Sequence, residues 1–487
     1  MRAPAKKSGR RAGSAILTAR LLGHVTLDAR ANGDIAASFG GYSLPLGKLS
    51  ASAAERAQKL RTGLPLDSFA SLSRTVDKEI NQLVRRLAIR GLLEYALTHS
   101  RNDDDLVVIE PQAPDYWPQI SSLRETDTVV LSRFAYVRRR AGDMVLESPR
   151  ARALFKMCDP KTAGALAILS TPQQIRKLRR QTGFPGLELL GLLVDCQILF
   201  KVGAADAGLR PTEGDENLVL WDFHDLLFHT RSTEGRHANP AGGVYAFADV
   251  ISSPPAVRPS WPGHKIDLRP LSASQPEAMA PAAKLLRERH STRDFDAARP
   301  ITLAELSQFL DGAARVLGTF STTASDDGPA FTYAVRPYPS GGSSHELELY
   351  LAVDKCEGLA RGFYHYDAGK HALVAIDVPM PEFEALLQGG QFAMDASGVP
   401  QILITIAARF GRVAWKYSSI AYSLILKDTG VLMQTLYLMA TDMGLGGCAI
   451  GSNHIELFAK LTGLEFHVEG PVGLFALGRG KATTASG

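Results

Sequence analysis

Three arginines and one serine in the C-terminal half of this chain could bind a phosphate group. Arg289 and Arg293 stand four residues apart with Ser291 between them, and Arg479 lies near the end of the chain. Guanidinium groups give planar, charge-assisted hydrogen bonds to phosphate oxygens, and a hydroxyl adds a short one. The pattern around Ser291 also fits a solvated, capped helix end, so further motifs must decide between the two interpretations.

Lys416 and Tyr417 form an adjacent pair suited to removing a proton. A tyrosine phenol, with a reference pKa of about 10, is a poor base at neutral pH, but a neighbouring ammonium favours the phenolate. Either residue could be the base. The alternative is that Lys416 faces solvent while Tyr417 packs in the core.

Two glycine-bearing turns could let the backbone approach a flat ring, because glycine lacks a Cβ. The first runs Pro339-Ser340-Gly341-Gly342, and the second contains Gly446 and Gly447 within residues 444–451. The first also fits a plain hairpin turn. The second is not a dinucleotide fingerprint, because it follows a helix rather than a strand.

Alternating helices and strands are predicted from residue 282 onward to position these residues. Thr302 and Glu305 have the spacing of a capping box and predict a helix start. The apolar run 401–408 is suited to a central strand. A later helix carries an apolar stripe with Gln434 beside it, and most of that stripe is expected in the core: Met433, Leu436, Tyr437 and Ala440.

The first two hundred residues contain two similar units. Each has a hairpin, a helix with an apolar stripe and a strand, in the ranges 25–39, 80–87 and 92–97, then 134–146, 189–194 and 197–202. We interpret them as two winged-helix-like modules at 21–115 and 116–205. Such a module can bind DNA, accept a peptide at a sheet edge, or serve as a spacer or dimerisation surface. The second helix carries almost no positive charge, which argues against nucleic acid.

Composition indicates an ordinary globular protein of more than one domain. The chain has 487 residues, 45% hydrophobic and 21% charged, with a net charge of +4. No apolar run approaches the length of a membrane helix. Four separated cysteines without a Cys-x-x-Cys pair favour a reducing cytoplasm. Residues 1–20 are predicted to form a disordered basic tail, and residues 206–280 a linker and connecting segment. Three closely spaced histidines in this segment lack a matching set of carboxylate or cysteine ligands, so no metal is assigned.

In their order, the motifs of residues 217–480 resemble the FMN-dependent nitroreductase fold, in its SagB/ThcOx-like branch. The resemblance implies an α+β fold: a C-terminal nitroreductase-like FMN domain at 281–487, with an antiparallel-rich mixed sheet and flanking helices, preceded by the two winged-helix-like modules. It implies FMN as cofactor and a homodimer. It also implies flavin-binding roles for a set of residues: Arg289, His290, Ser291, Arg293, Pro339, Ser340, Gly341, Gln434, Gly446, Gly447 and Arg479.

Members of that branch oxidise azoline rings in ribosomally made peptides, so the resemblance implies an azoline dehydrogenase in which Lys416 and Tyr417 assist proton removal while FMN accepts a hydride. An azoline-containing precursor peptide and a cyclodehydratase of the same pathway are the implied partners. Two alternatives stay open: a general flavin nitroreductase or quinone reductase using NAD(P)H, and a winged-helix DNA-binding regulator with a flavin domain. The preference between thiazoline and oxazoline also stays open, as does the role of the N-terminal modules.

Overall fold

The computed structural model describes residues 15–30, 32–100, 103–181, 184–203, 216–238, 242–245, 247–268, 280–323 and 330–481. Of the predicted basic tail, residues 1–14 lie outside these residues, whereas residues 16–20 belong to a strand. The polar stretch 204–215 also lies outside them. The chain forms two compact units, one of residues 1–231 and 235–238 and the other of residues 232–234 and 239–487. Among the helices described, none combines the length and apolar character needed to cross a membrane. The domain boundaries predicted from the sequence stay predictions.

The first unit is rich in short strands. Its strands are β1 (Ile16–Leu21), β2 (Thr26–Ala29), β3 (Asp34–Phe39), β4 (Tyr42–Lys48), β5 (Leu64–Pro65), β6 (Leu93–Thr98), β7 (Asp105–Pro111), β8 (Thr128–Leu131), β9 (Tyr136–Arg140), β10 (Asp143–Glu147), β11 (Ala153–Met157), β12 (Gln173–Gln174) and β13 (Leu199–Lys201). Its helices are α1 (Ala51–Ala57), α2 (Thr75–Ile89), α3 (Pro160–Ala167), α4 (Ile175–Leu178), α5 (Leu187–Asp195), α6 (Glu216–Val219) and α7 (Phe223–Arg231).

Each predicted repeat contains the predicted elements. In the first, β2 and β3 form the hairpin, α2 buries its apolar stripe and β6 follows. In the second, β9 and β10 form the hairpin, followed by α5 and β13. The stripe of α2 lies at helical spacing (Ile80, Leu83, Val84 and Leu87), which explains why this segment is helical and which face it buries. The winged-helix designation stays a prediction.

A single antiparallel sheet joins the two repeats. Its strand order is β5-β1-β6-β7-β11-β10-β9, so the first four strands come from residues 16–111 and the last three from residues 136–157. The junction is the pairing of β7 with β11, from Val107 opposite Met157 to Pro111 opposite Ala153. One hydrophobic core contains side chains of both repeats, among them Phe69 and Phe155.

The second unit has a six-stranded sheet in the order β18-β17-β16-β19-β21-β20, and every pairing within it is antiparallel. The strands of this unit are β14 (Gly318–Thr323), β15 (Ala330–Val335), β16 (Leu347–Val353), β17 (Gly362–Asp367), β18 (Ala372–Ile376), β19 (Ile402–Arg409), β20 (Gly446–Ile450) and β21 (Glu469–Gly478). The run predicted as a central strand is β19, which is buried along all but its last residue. β14 and β15 form a separate two-stranded hairpin.

Helices flank this sheet. They are α8 (Pro281–Glu288), α9 (Leu303–Ala314), α10 (Met380–Met394), α11 (Gly411–Ala414), α12 (Ala421–Asp442) and α13 (Ile455–Thr462). The predicted capping box is present at the start of α9, where the Thr302 hydroxyl and the Glu305 carboxylate each bind the other's backbone N–H. The 22 residues of α12 contribute a buried stripe and two buried polar residues, Asp428 and Thr429. This α+β arrangement agrees with the predicted fold class.

Candidate functional site

The segment after α8 lies in extended form beside β20. The Thr292 N–H donates to the Gly447 carbonyl at 2.8 Å, and Phe295 makes an antiparallel bridge with Gly480. A Cβ on Gly446 would stand 2.6 Å from the Thr292 Cγ2. Gly446 is therefore needed for the segment to reach β20 at all. A Cβ on Gly447 would stand 2.5 Å from the Phe475 ring, so both predicted glycines have a packing role.

Tyr437 of α12 organises the predicted phosphate-binding residues. Its hydroxyl lies 2.8 Å from the Ser291 Oγ and accepts a 2.8 Å hydrogen bond from the Ala449 N–H. The Arg289 guanidinium carbon stands 4.9 Å from the centroid of the Tyr437 ring, within the range of a cation–π contact. Sequence reasoning assigned Tyr437 to the core stripe and missed this role. The available signal was a hydroxyl on an otherwise apolar helix face, since a buried tyrosine needs a hydrogen-bond partner.

The remaining members of the phosphate-binding prediction have different surroundings. Arg293 is exposed, and its guanidinium has no hydrogen bond or ion pair within the described residues. His290 is also exposed, with its Nδ1 3.1 Å from the Glu288 carbonyl. Arg479 already binds a carboxylate: one of its Nη atoms donates to both oxygens of Glu305, at 2.7 and 2.9 Å. An anion recruiting Arg479 would therefore compete with Glu305.

Electrostatics keep Glu305 charged at this position. The backbone N–H of Thr302 holds the pKa of its carboxyl below the usual value, and the Arg479 guanidinium lowers it further. The backbone of Arg479 is fixed as well, because its N–H donates to the Gln401 Oε1 at 3.0 Å. The start of α9 and the end of β21 are thereby connected through one ion pair and one side-chain amide.

The Ser340–Gly342 turn is held by a buried carboxylate. The Asp428 Oδ2 accepts hydrogen bonds from the Ser340 hydroxyl at 2.9 Å and from the Gly341 N–H at 2.8 Å. The Ser340 Oγ in turn accepts the His345 N–H at 2.9 Å. Gly342 adopts a left-handed conformation, with φ of 59°. Because glycine takes positive φ without steric cost, this backbone conformation explains why the second residue of the Gly-Gly pair is a glycine.

Glu346 adds a second carboxyl to this turn. Its side chain is fully buried, and its Oε2 lies 3.3 Å from the Ser340 Oγ. The pKa of Glu346 is raised to about 7: burial is the largest cause and the nearby Asp428 charge acts in the same direction, whereas hydrogen bonds from its own N–H and from Ser340 act against them. The other oxygen, Oε1, has no hydrogen-bond partner among the described residues. Sequence reasoning did not identify either Glu346 or Asp428.

The candidate proton-transfer pair converges on the same turn. Lys416 and Tyr417 follow the short helix α11, and the Lys416 Nζ donates to the Gly342 carbonyl at 3.2 Å. A Cβ on Gly342 would stand 2.2 Å from the Tyr417 hydroxyl and 2.7 Å from the Lys416 Nζ. The Nζ lies 5.3 Å from the Tyr417 ring centroid and 5.1 Å from that of Tyr333. Residues separated by more than seventy positions in sequence thus form one cluster.

A groove of about 270 Å³ opens beside Lys416, between β15 and α11. Its lining is aromatic and cationic: Phe331, Thr332, Tyr333, Arg412, Trp415 and Lys416, with Ala330 and Ser344. Arg412 joins the two sides, donating to the Thr332 carbonyl at 2.6 Å and to the Ser344 carbonyl at 3.0 Å. Trp415 packs against Phe331 at 4.8 Å between ring centroids, yet 58% of it remains exposed.

Two predicted residues have no specific contact. Pro339 and Gln434 are exposed, and their side chains make no hydrogen bond or ion pair within the described part of the chain. The turn cluster and the Tyr437 cluster share α12, on which Asp428 and Tyr437 are nine residues apart. The site assignments taken from the sequence therefore stay predictions, of which the structure brings Lys416, Tyr417, Ser340 and Gly341 into one group.

Asp222, His224 and Asp225 form a separate group, with ligand atoms within 4.8 Å of one another. Acidic groups of this kind are common on protein surfaces, and no other observation points to an ion there. It carries no metal assignment.

Comparison with protein families matches two parts of the chain. Residues 286–479 match the model of the nitroreductase family, and residues 129–238 match that of the cyanobactin oxidase ThcOx. The chain is thus an oxidoreductase of the nitroreductase fold. A segment similar to the cyanobactin oxidase ThcOx therefore lies ahead of the part of the chain that is similar to nitroreductases.

Individual relatives align over part of the chain. MJ1384 of Methanocaldococcus jannaschii, which is named as a nitroreductase, is 28% identical over 196 residues, covering 40% of this chain and 89% of the relative. The trifolitoxin-processing protein TfxB of Rhizobium leguminosarum is 26% identical, covering 30% of this chain, and the microcin B17-processing protein McbC of Escherichia coli is 26% identical, covering 28%. These two alignments span only 39% and 52% of the relatives' own lengths. Among solved structures, the E. coli microcin synthetase McbBCD complex with truncated pro-MccB17 bound aligns at 19% identity and a TM-score of 0.39, over 58% of this chain and 100% of the matched chain.

Proposed function

We propose that this protein is an FMN-dependent dehydrogenase that oxidises thiazoline or oxazoline rings to thiazole or oxazole in a ribosomally made peptide. The observation that carries the proposal is the convergence of Lys416 and Tyr417 on the Ser340–Gly342 turn. The likeness to TfxB, a trifolitoxin-processing protein, and to McbC, a microcin B17-processing protein, supports a peptide substrate.

The residues present fit an FMN group. The Arg293 guanidinium has no hydrogen-bonding or ion-pairing partner in the described residues. Its sequence neighbours Ser291 and Arg289 both contact Tyr437, which orders them. These three residues would hold the phosphate and ribityl chain, and the Ser340–Gly341 backbone would border the ring. When bound, the flavin supplies the hydride acceptor that no side chain can provide.

The chain's own residues would manage the proton. Aromatising an azoline removes a hydride from one ring carbon and a proton from its neighbour. The Tyr417 oxygen would accept that proton, while the Lys416 ammonium, fixed by the Gly342 carbonyl, stabilises negative charge on the phenol oxygen. The reverse assignment, with Lys416 as the base, uses the same contacts.

The groove beside Lys416 offers a path for the peptide. Aromatic side chains give large apolar contact area, and Trp415 is exposed there although it already packs on Phe331. A ring presented from this groove would meet Lys416 directly, because Lys416 lines the groove. The proposal also includes a homodimer. It includes a cyclodehydratase partner as well, because an enzyme must first close the azoline ring that this one oxidises.

The test begins with the purified protein and its flavin absorption. Incubated with an azoline peptide and FMN, the protein should produce a mass loss of about two hydrogens per ring, as expected when a hydride and a proton leave. Lys416→Ala and Tyr417→Phe should keep FMN and lose turnover. Lys427→Ala serves as the matched control, because it removes an exposed lysine side chain of α12 that makes no hydrogen bond or ion pair within the described residues.

The relation between the two variants identifies the base. Loss of turnover in Tyr417→Phe supports Tyr417 as the base. Activity that is retained in Tyr417→Phe and lost in Lys416→Ala supports Lys416 as the base. Near-normal turnover in both variants would exclude the proposed chemistry. Rapid oxidation of NADPH with a nitroaromatic or quinone, and no change in the peptide, would instead favour the general reductase suggested by the likeness to MJ1384.

A further inference from the structure

We propose that Glu346 and Asp428 form a carboxyl pair that shares one proton, and that this pair holds the Ser340–Gly342 turn in the shape that receives Lys416. Both are positioning residues, since neither touches the proposed reacting atoms. The inference rests on the proposed function only where it concerns turnover.

The contacts run in one chain from the pair to Lys416. The Asp428 Oδ2 accepts from the Ser340 hydroxyl at 2.9 Å and from the Gly341 N–H at 2.8 Å. These two bonds fix the residues immediately before Gly342, whose carbonyl accepts from the Lys416 Nζ at 3.2 Å. Because glycine is conformationally free, a left-handed Gly342 needs such support to keep its carbonyl in one direction.

The burial of both carboxyls argues that only one is charged. Glu346 is fully buried and Asp428 is 6% exposed, and Ser340 lies within hydrogen-bond distance of both. Two negative charges that both lie within hydrogen-bond distance of one hydroxyl, in a site poor in water, repel each other strongly, so one carboxyl keeps its proton. The Ser340 hydroxyl has a single hydrogen, which cannot serve both acceptors.

The surrounding groups do not neutralise a second charge. Arg336 donates to the Leu347 carbonyl at 3.2 Å, and Arg412 donates to two carbonyls, so neither makes an ion pair with the carboxyls in the described structure. Burial lowers the pKa of His345 to about 4, which leaves its imidazole neutral at physiological pH. The buried Tyr338 phenol carries no charge either, because burial raises its pKa.

The arrangement of donors assigns the proton to Glu346. Two donors point at one oxygen of Asp428, which suits an ionised acceptor. The Glu346 Oε1 has no partner among the described residues, and an ionised carboxylate would leave that oxygen uncompensated. Ionising Glu346 at alkaline pH would place two charges around Ser340 and release the turn. Burial, the largest cause, raises the pKa of Glu346 to about 7, so the transition lies near neutrality, where both forms are accessible.

A spectroscopic experiment tests the shared proton without any substrate. Infrared spectra of the full-length protein in D₂O near neutral pH should contain the C=O stretching band of a protonated carboxylic acid, and this band should be absent from Glu346→Gln. In Asp428→Asn the band should persist but disappear at lower pH than in the wild type, since the neighbouring charge is gone. Absence of the band from wild-type protein at pH 5 to 7, or a band unchanged in Glu346→Gln, would overturn the proposal.

Kinetics with the FMN-loaded protein then test the positioning role. Glu346→Gln mimics the neutral acid, so it should keep kcat within about threefold and lose the fall in activity at alkaline pH that wild type shows. Asp428→Asn removes the charge that strengthens the two hydrogen bonds from Ser340 and Gly341, so kcat should fall about tenfold or more with KM little changed. Inactive Glu346→Gln that binds FMN normally would refute the pair. Inactivity of the wild type alone would refute the proposed function and leave the infrared result to decide on the pair.

Discussion

Replacing Gly342 by alanine tests the cluster around Lys416 and Tyr417 most directly. The added methyl carbon would stand 2.2 Å from the Tyr417 hydroxyl and 2.7 Å from the Lys416 Nζ, far inside van der Waals contact. Either the two side chains move away or the turn changes shape. Both outcomes disturb the Lys416–Tyr417 pair, so Gly342→Ala should strongly reduce turnover while the free energy of unfolding falls only modestly.

The two magnitudes follow from the geometry. An alanine at the φ of 59° that Gly342 adopts costs about 1–2 kcal/mol of folding stability. To reach ordinary contact near 3.4 Å, the Tyr417 hydroxyl must retreat by more than 1 Å. A misplacement of about 1 Å in a catalytic group can reduce the rate about a hundredfold. We therefore expect kcat to fall about a hundredfold while the protein remains folded.

The assay pairs single-turnover oxidation of an azoline peptide with urea denaturation of the same preparations. Gly389→Ala is the matched control, because Gly389 lies within α10 and a Cβ added there would meet no atom within 4 Å. That variant should keep full activity and gain a few tenths to about 1 kcal/mol from helix propensity. Turnover in Gly342→Ala within threefold of wild type would refute the assigned roles of Lys416 and Tyr417, since the added methyl group must displace the two side chains or the turn.

Three other changes have expected outcomes. Tyr437→Phe removes the hydroxyl that joins Ser291 to the Ala449 N–H, so FMN affinity measured by fluorescence titration should fall roughly tenfold, and unchanged affinity would contradict the role of Tyr437. The Thr302 N–H and the Arg479 guanidinium hold the pKa of Glu305 below its ordinary 4.5, so its contribution to folding stability is present above that pH and is lost as the pH falls further. The free energy of unfolding, measured between roughly pH 3 and pH 6, should therefore depend less on pH in Glu305→Gln than in wild type. Trp415→Ala should raise KM for the peptide roughly tenfold and leave FMN binding unchanged, and an unaltered KM would remove the groove from the substrate path.

Local elements were predictable because neighbours in sequence determine them. The apolar spacing of α2 specifies both its helical period and its buried face. The capping box of Thr302 and Glu305 is likewise a local pattern, four residues long, and the structure contains it. The use of Glu305 as the partner of Arg479 was not predictable, since 174 positions separate the two and only the folded sheet joins them.

The candidate site divides in the same way. Lys416 and Tyr417 could be selected by their chemistry, but their contact with Gly342 depends on how α11 packs against the turn. Asp428 and Glu346 lacked any sequence signal, because a single acid in an amphipathic helix or before a strand is normally solvated. Burial makes them unusual, and burial follows from tertiary packing. Tyr437 was read as an apolar residue because helical spacing does not report the direction of a hydroxyl.

The pairing of β7 with β11 has a practical consequence for any attempt to dissect the protein. Cutting the chain between the repeats would leave both strands as unpaired edges and divide one interior into two incomplete halves. Bare edges rich in valine and leucine tend to recruit other chains, so isolated halves would aggregate rather than behave as independent folding units. A fragment meant to report on the first unit must keep β1 through β13 in one piece.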